Sequence, residues 1–381
     1  MYNALCAFLL VLCSPILLLA SFKHKFKTHG KNSLLARFFL YKNPPLKYAN
    51  FHFHACSLGE VSSIENIVKS LLSLGFSVRI TTATATGYEK AIKICENSSF
   101  LPFECFLPFW LEKCDTLVVF EAELWLNLFK YVKKQGARTI LLNARVSKHS
   151  FGRYKAFGTY YNALFSYVDL VLAQSMGDDE RLKALGARNS RILGNIKSIN
   201  EPKITREFSR NYEHIIVLAS SHEGEEKGIL ESLKLRENEQ LIIVPRHPQR
   251  FDEVAKIAQN WSKSSDFSFA RFSTDESLKS QVVLIDKIGE LINIYAIADV
   301  VVLCGSFFDK IGGHNPFEPA FFEKGIISGA FFHNQRALYP CVEGIKIAKN
   351  FAQVEELAHE KFSSKIINKC DFDEIISILK G

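Results

Sequence analysis

Two runs of short apolar segments, with enough chain between neighbouring segments for a helix, constrain this sequence more than any other feature. The first run reads FHFHAC (residues 51–56), FSVRITTAT (76–84), DTLVVFEAE (115–123), ARTILLNAR (137–145) and VDLVLAQS (168–175). A polar, strand-poor stretch, NIKSINEPKITREFSRNYE (195–213), interrupts it. The alternation then restarts with HIIVLASS (214–221), QLIIVPRH (240–247), QVVLIDK (281–287) and ADVVVLCGS (298–306), and helix-like segments follow from about Val354. Alternation of this kind builds a parallel sheet with helices on both faces. The expected fold is therefore α/β, with two Rossmann-like domains facing a cleft: residues 41–200, then residues 201–381 with terminal helices. Ligands of such sheets bind at the carboxyl ends of the strands.

Residues 2–22, YNALCAFLLVLCSPILLLASF, carry no charge. At 1.5 Å per residue the run is long enough to cross a hydrocarbon core of about 30 Å. Lys23, Lys25, Lys27, Lys31 and Arg37 follow directly, and the positive-inside bias keeps such charges in the cytoplasm. Residues 1–40 thus read as a single retained anchor and basic linker, with the domains cytoplasmic. A signal peptide competes, but no basic residue precedes the run and no small-residue cleavage pattern follows it. A monotopic or packed helix is the third reading. With 48% apolar and 23% charged residues the chain has material for two full cores, which excludes a disordered protein. Its formal charge of +7 favours anionic partners such as nucleotides, phosphorylated lipids or a membrane surface, without choosing among them. The nine cysteines are odd in number, scattered and without a Cys-x-x-Cys pair, which fits reduced thiols rather than zinc ligands or a disulfide framework.

Nearly every unusual cluster follows a strand. In the first half these are SLGE, TTATATG, EAELW and NARVS; in the second they are SSHEGEE, PRHPQR, DKIGEL and GSFFDKIGGHNPFEP. Glycines 312 and 313 before His314 and Asn315 suit an anion site at a helix start, and a plain loop with a capped helix explains the same letters. SSHEGEE fits an N-cap with Glu223, Glu225 and Glu226 in the first turn. PRHP sets a cation and an imidazole at a strand end, suited to phosphate or carboxylate. Asp371 and Asp373 resemble a metal-binding Asp-x-Asp, but their place before EIISILKG makes Asp371 a helix N-cap. HEGEE lacks the His-x-x-x-His spacing of a zinc helix. No metal is expected. Glu60 sets a negative charge at a strand-to-helix turn, a place that ordinarily holds anions, and the helix dipole alone accounts for such a carboxylate in many proteins.

In order and approximate spacing, FHACSLGEVSS, TTATATG, EAELW, NARVS, AQSMGDDERLKALGA, LGNIKS, ASSHEGEE, VPRHPQRF, GEL, YAIADVVVLCGSF and GGHNPFEPA resemble the 3-deoxy-D-manno-octulosonic acid (Kdo) transferases of Gram-negative lipopolysaccharide synthesis. The resemblance runs from about residue 40 to 350. It implies a GT-B type, inverting, metal-independent glycosyltransferase at the inner membrane, moving Kdo from CMP-Kdo to the 6′-hydroxyl of a lipid A precursor. No cofactor and no nucleic-acid partner are implied. Glu60 matches the family's catalytic glutamate and would be the general base. Ser221, Glu223, Arg246, His247, Gly312, Gly313, His314, Asn315 and Glu318 would line the donor side. Ser57, Gly59, Thr82, Thr84, Thr86, Glu121 and Glu123 are acceptor-side candidates, and the basic linker would attract the phosphorylated acceptor and anionic lipids. The sequence departs from the family pattern at Ser198 and Asn200, at Leu126 where proline is usual, and at Cys304 where glycine is common. A transferase using another nucleotide sugar, such as a UDP-hexosamine, and an inactive glycolipid-binding scaffold are the competing expectations.

Overall fold

The computed structural model describes every residue of the chain except Met1, His29 and Asn368. It forms two units, Met1–Asn200 together with Lys369–Gly381, and Glu201–Asn368.

In the first unit one sheet contains β1 (Ala49–His54), β2 (Val78–Thr82), β3 (Ser98–Phe100), β4 (Cys114–Phe120), β5 (Arg138–Ala144), β6 (Leu170–Ala173) and β7 (Ser190–Ile192). Their spatial order is β3-β2-β1-β4-β5-β6-β7, and every pairing is parallel. Side chains alternate across the sheet as the pleat requires. Val118 and Phe120 enter one core with Phe51, Phe53 and Ile64, while Leu117 and Val119 enter the other with Phe129 and Leu164. Because both faces are covered, the strands are apolar throughout and legible as runs.

The second unit repeats the plan with β8 (His214–Ser221), β9 (Glu239–Pro245), β10 (Phe269–Arg271), β11 (Val282–Leu284), β12 (Val300–Leu303), β13 (Gly325–Ser328) and β14 (Lys346–Ile347). Its order is β10-β11-β9-β8-β12-β13-β14, again all parallel. In each sheet the chain leaves the first strand toward one edge and later returns to that strand's other side. The switch points lie between β1 and β4 and between β8 and β12, where loops diverge and leave a crevice at the strand ends. Three non-glycine residues near such ends, Glu121, Asn143 and Ser220, have φ of 56°, the left-handed region that costs an ordinary residue energy and that clusters at functional sites.

The expected second domain ran to residue 381, but residues 369–381 belong to the first unit. The helix Phe372–Lys380 buries Ile375, Ile376, Ile378 and Leu379 in the first unit's core, and Arg138 donates to the Ile378 carbonyl at 2.7 Å. Asp371 caps it by accepting from the Asp373 and Glu374 amides at 2.8 and 3.2 Å. The helix Tyr2–Ser21 is long and apolar enough to cross a membrane by length and composition. Cys6 and Leu10 pack on Phe103, Cys105 and Phe106 of the first unit, while Val11, Leu12, Ile16 and Leu19 are exposed.

Since Ile375 is fully buried in the first unit, Ile375→Ala is expected to cost about 2–5 kcal/mol of that unit's stability. Hydrogen exchange should quicken in β1 to β7 and stay unchanged in β8 to β14; the reverse pattern would contradict the assignment of this helix.

Candidate active site

Glu60 lies in the first turn of the helix Leu58–Ser73, directly after β1. One carboxylate oxygen accepts from the Cys56 amide at 2.7 Å and the other from the Ser57 hydroxyl at 3.0 Å. The carboxylate is thus fixed over the turn while each oxygen keeps a free lone-pair direction. Burial raises its pKa, the Cys56 amide opposes the shift, and the charges of Glu121 and Glu123 add to it. Gly59 is exposed, and a Cβ added there would meet nothing within 4 Å.

The TTATATG motif supports this turn. The Cys56 carbonyl accepts from the amides of Ala83 and Thr84 and from the Thr84 hydroxyl, each at 3.1 Å. Thr84 also caps the next helix, Ala85–Ile94, by accepting from the Gly87 amide at 3.1 Å. A Cβ on Gly87 would lie 2.9 Å from the Thr84 hydroxyl and 3.0 Å from the Cys56 carbonyl, so only glycine lets the helix start come this close. Thr82 is buried and its hydroxyl has no hydrogen-bond partner among the described residues, whereas Thr86 is exposed.

On the other side of the switch point, β4 leads into Glu121 and Glu123. Glu121 is buried and pairs with the Arg145 guanidinium at 3.0 Å. Glu123 accepts from the Trp125 indole N–H at 2.7 Å and lies 3.6 Å from Nε2 of the buried His54. His54 Nδ1 is 3.1 Å from the Thr81 carbonyl, which can only accept, so Nδ1 is the donor there. Burial would raise the Glu123 pKa, but His54, Trp125 and Arg37 outweigh it and hold the carboxylate at about 2. Burial also pushes the neighbouring Cys56 thiol up to about 12, reinforced by Glu123 and Glu60. Glu60 and Glu123 are therefore tuned in opposite directions, as acid–base sites often are. Arg37 was expected only as part of the basic linker. Its guanidinium donates to the Leu101 carbonyl at 3.0 Å and sits 5.8 Å from the Trp125 ring. A single cation inside the apolar run LLARFFL was the available signal.

In the second unit the loops after β8, β9 and β12 converge. His222 and His314 stack with centroids 5.1 Å apart and share a hydrogen bond of 2.9 Å between their Nε2 atoms. His247 stands edge-on to His222 at 5.3 Å. Burial and the surrounding cationic groups lower the pKa of both His222 and His314 to about 4, so near neutrality one ring donates and the other accepts. Arg246 is exposed, with no side-chain ion pair among the described residues. Burial raises the Glu318 pKa, while Asn315, at 3.4 Å, and Arg246 oppose the rise. Gly312 and Gly313 have φ of 84° and 83°, and added Cβ atoms would press on His333 and Phe332. The Ser221 hydroxyl is buried without a partner among the described residues.

The three glutamates of SSHEGEE divide their work. Glu223 is exposed. The buried Glu225 accepts from the amides of Gly305, His222 and Phe307 at 2.8, 3.0 and 3.1 Å, tying two loops together. Glu226 forms a two-pronged pair with Arg250 at 2.7 and 3.1 Å. His222 was missed from the sequence; its place directly after β8 was the available signal.

The depressed pKa of Glu123 makes a pH prediction. The ionised carboxylate stabilises the fold fully above the ordinary value of 4.5, and its contribution is lost as pH falls towards about 2. The advantage of the wild type over Glu123→Gln in urea midpoints should shrink as pH falls from about 4.5 towards about 2. An advantage that grows on acidification would contradict the assignment.

Comparison with known proteins places this geometry in a family. The family described as 3-deoxy-D-manno-octulosonic-acid transferase (kdotransferase) matches residues 32–199. A 3-deoxy-D-manno-octulosonic acid transferase of Haemophilus influenzae is 32% identical over 389 residues, covering 92% of this chain and 88% of that protein. A bifunctional glycosyltransferase/methyltransferase of Fusobacterium nucleatum is 30% identical over 402 residues and covers 99% of this chain, which spans 60% of that protein's length. Among solved structures, UDP-GlcNAc 2-epimerase from Neisseria meningitidis, bound to UDP-GlcNAc, has a TM-score of 0.54 at 13% identity, covering 88% of this chain and 98% of that one. That likeness is one of fold, two Rossmann-like domains of the GT-B kind. With strand-end motifs, fold and sequence in agreement, the chain belongs to the 3-deoxy-D-manno-octulosonic acid transferase family of glycosyltransferases.

Proposed function

We propose that the chain transfers Kdo from CMP-Kdo to the 6′-hydroxyl of a lipid A precursor, inverting the anomeric centre, with Glu60 as general base. The observation that carries the reading is the Glu60 carboxylate, fixed at a switch point by two hydrogen bonds and raised in pKa by burial. A base of raised pKa accepts a proton more readily at neutral pH, provided it is ionised there. In the proposed step Glu60 takes the proton of the acceptor hydroxyl as its oxygen bonds to the anomeric carbon. The bond from that carbon to the phosphate oxygen breaks, and CMP leaves with the electron pair. Glu123, Glu121 and Arg37 hold the acceptor's polar groups.

The second unit binds the donor. Arg246 supplies a permanent positive charge, and His222, His247 and His314 supply ring N–H groups for the phosphate and the sugar carboxylate. Glu318 accepts from ribose hydroxyls. The leaving group is a monophosphate, with less charge to neutralise than a diphosphate, so this cation and these N–H groups serve without a metal. The apolar N-terminal helix and the lysines after it hold the chain at the inner membrane, facing the cytoplasm and anionic lipids.

The test is mass analysis of a tetra-acylated lipid A precursor incubated with the full-length protein and freshly generated CMP-Kdo in chelator. The wild type should add Kdo, and Glu60→Gln should lower kcat by about 10²- to 10⁴-fold. Wild-type kcat should rise with pH through the raised Glu60 pKa and then level off. Arg246→Ala should raise the KM for CMP-Kdo with a smaller effect on acceptor KM. Undiminished turnover in Glu60→Gln would overturn the assigned base, and no product from the folded wild type would overturn the reaction.

A further inference from the structure

A cavity of about 800 Å³ lies in the first unit at the C-terminal end of the helix Tyr2–Ser21. The chemistry above makes no use of it. Leu18, Phe22, Leu35 and Tyr41 give it apolar walls, and Lys27 and Lys31 stand on the short hairpin that closes one side. Among its described lining residues none is acidic. Lys31 is positioned by the Tyr88 ring, whose centroid is 4.7 Å from its ammonium. Apolar surface lies beside the cavity: Ile16 and Leu19 of the same helix, and Phe22 just after it, are 70–76% exposed. Lys23 and Lys25 follow immediately. An apolar hollow with a cationic rim beside exposed apolar surface fits one kind of ligand, an acyl chain that carries an anionic group at its polar end.

The cavity is joined to the carboxylate cluster through the helix Ser33–Phe39. Leu35 of that helix lines the cavity, while Arg37, two residues on and about 200° around the axis, acts on Glu123. Leu35 and Arg37 thus lie on nearly opposite sides of one short helix. Tyr88, which seats Lys31, belongs to the helix whose first turn packs against the Glu60 turn. Carboxylates, cations and apolar hollow are thus linked by two short helices.

We infer that this cavity takes an acyl chain of the acceptor, with a phosphate of the same glycolipid on Lys27 and Lys31. The inference rests on the acceptor class proposed above. A phosphorylated, acylated disaccharide presents a reacting hydroxyl, a phosphate and an acyl chain, the three groups that these three surfaces suit.

The test is steady-state kinetics of the full chain in detergent micelles, with the tetra-acylated precursor and with its fully deacylated phosphorylated disaccharide. Leu35→Trp narrows the hollow and should raise KM for the acylated acceptor by at least about 10-fold. KM for the deacylated acceptor and for CMP-Kdo should not change, which also shows that the variant is folded. Lys27→Ala with Lys31→Ala should raise KM for both acceptors, because both keep the phosphate. An unchanged KM for the acylated acceptor in Leu35→Trp overturns the inference. So does loss of binding to phosphatidylglycerol vesicles without a change in that KM, which would assign the cavity to bulk lipid. Transfer to neither acceptor by the wild type overturns the proposed reaction, and this inference with it.

Discussion

Parallel pairing of every strand in both large sheets is the constraint from which the site follows. A parallel sheet sets all its strand carboxyl ends on one edge, and the first strand of each unit runs between neighbours reached from opposite directions. Glu60 and Glu123 follow the two strands that flank one switch point. His222 and the loop from Gly305 to Asn315 follow the two that flank the other. The left-handed residues Glu121, Asn143 and Ser220 mark the same edges, where the regular ladder gives way to turns that aim side chains.

Electrostatics then divide the labour. The first unit gathers three carboxylates, and their surroundings tune two of them in opposite directions. Glu123 is held ionised by His54, Trp125 and Arg37, whereas desolvation raises Glu60 with only two hydrogen bonds opposing it. The second unit gathers three imidazoles and an exposed arginine, with burial keeping His222 and His314 neutral. A site with one ionised carboxylate beside a more basic one suits proton abstraction from a hydroxyl. A site with one fixed cation and several N–H donors suits an anionic donor.

The long central strands were legible because burial on both faces leaves them apolar from end to end. The short β3, β7, β10, β13 and β14 were not, since two to four residues carry no period. The helix Phe372–Lys380 was legible as a helix, but nothing local tells an amphipathic helix which sheet it covers; Ile375 and its neighbours cover the first. The place of Glu60 at a strand-to-helix turn was legible because its motif is short and contiguous. The roles of Glu223, Glu225 and Glu226 were not, because facing is set by where the helix starts. That start is after Gly224, which turns Glu225 and Glu226 inward. Thr82, Thr84 and Thr86 looked alike in sequence, yet one is buried, one caps a helix and one is exposed.

The central claim is that the Glu60 carboxylate is the base and that its surroundings raise its proton affinity. Titration of the Glu60 side-chain carboxyl by carbon-13 NMR, assigned by loss of its signal in Glu60→Gln, measures this directly. The account predicts a midpoint above the ordinary glutamate value of 4.5 that moves down when Glu121 or Glu123 is neutralised. A midpoint at or below 4.5, indifferent to those two neighbours, would contradict it.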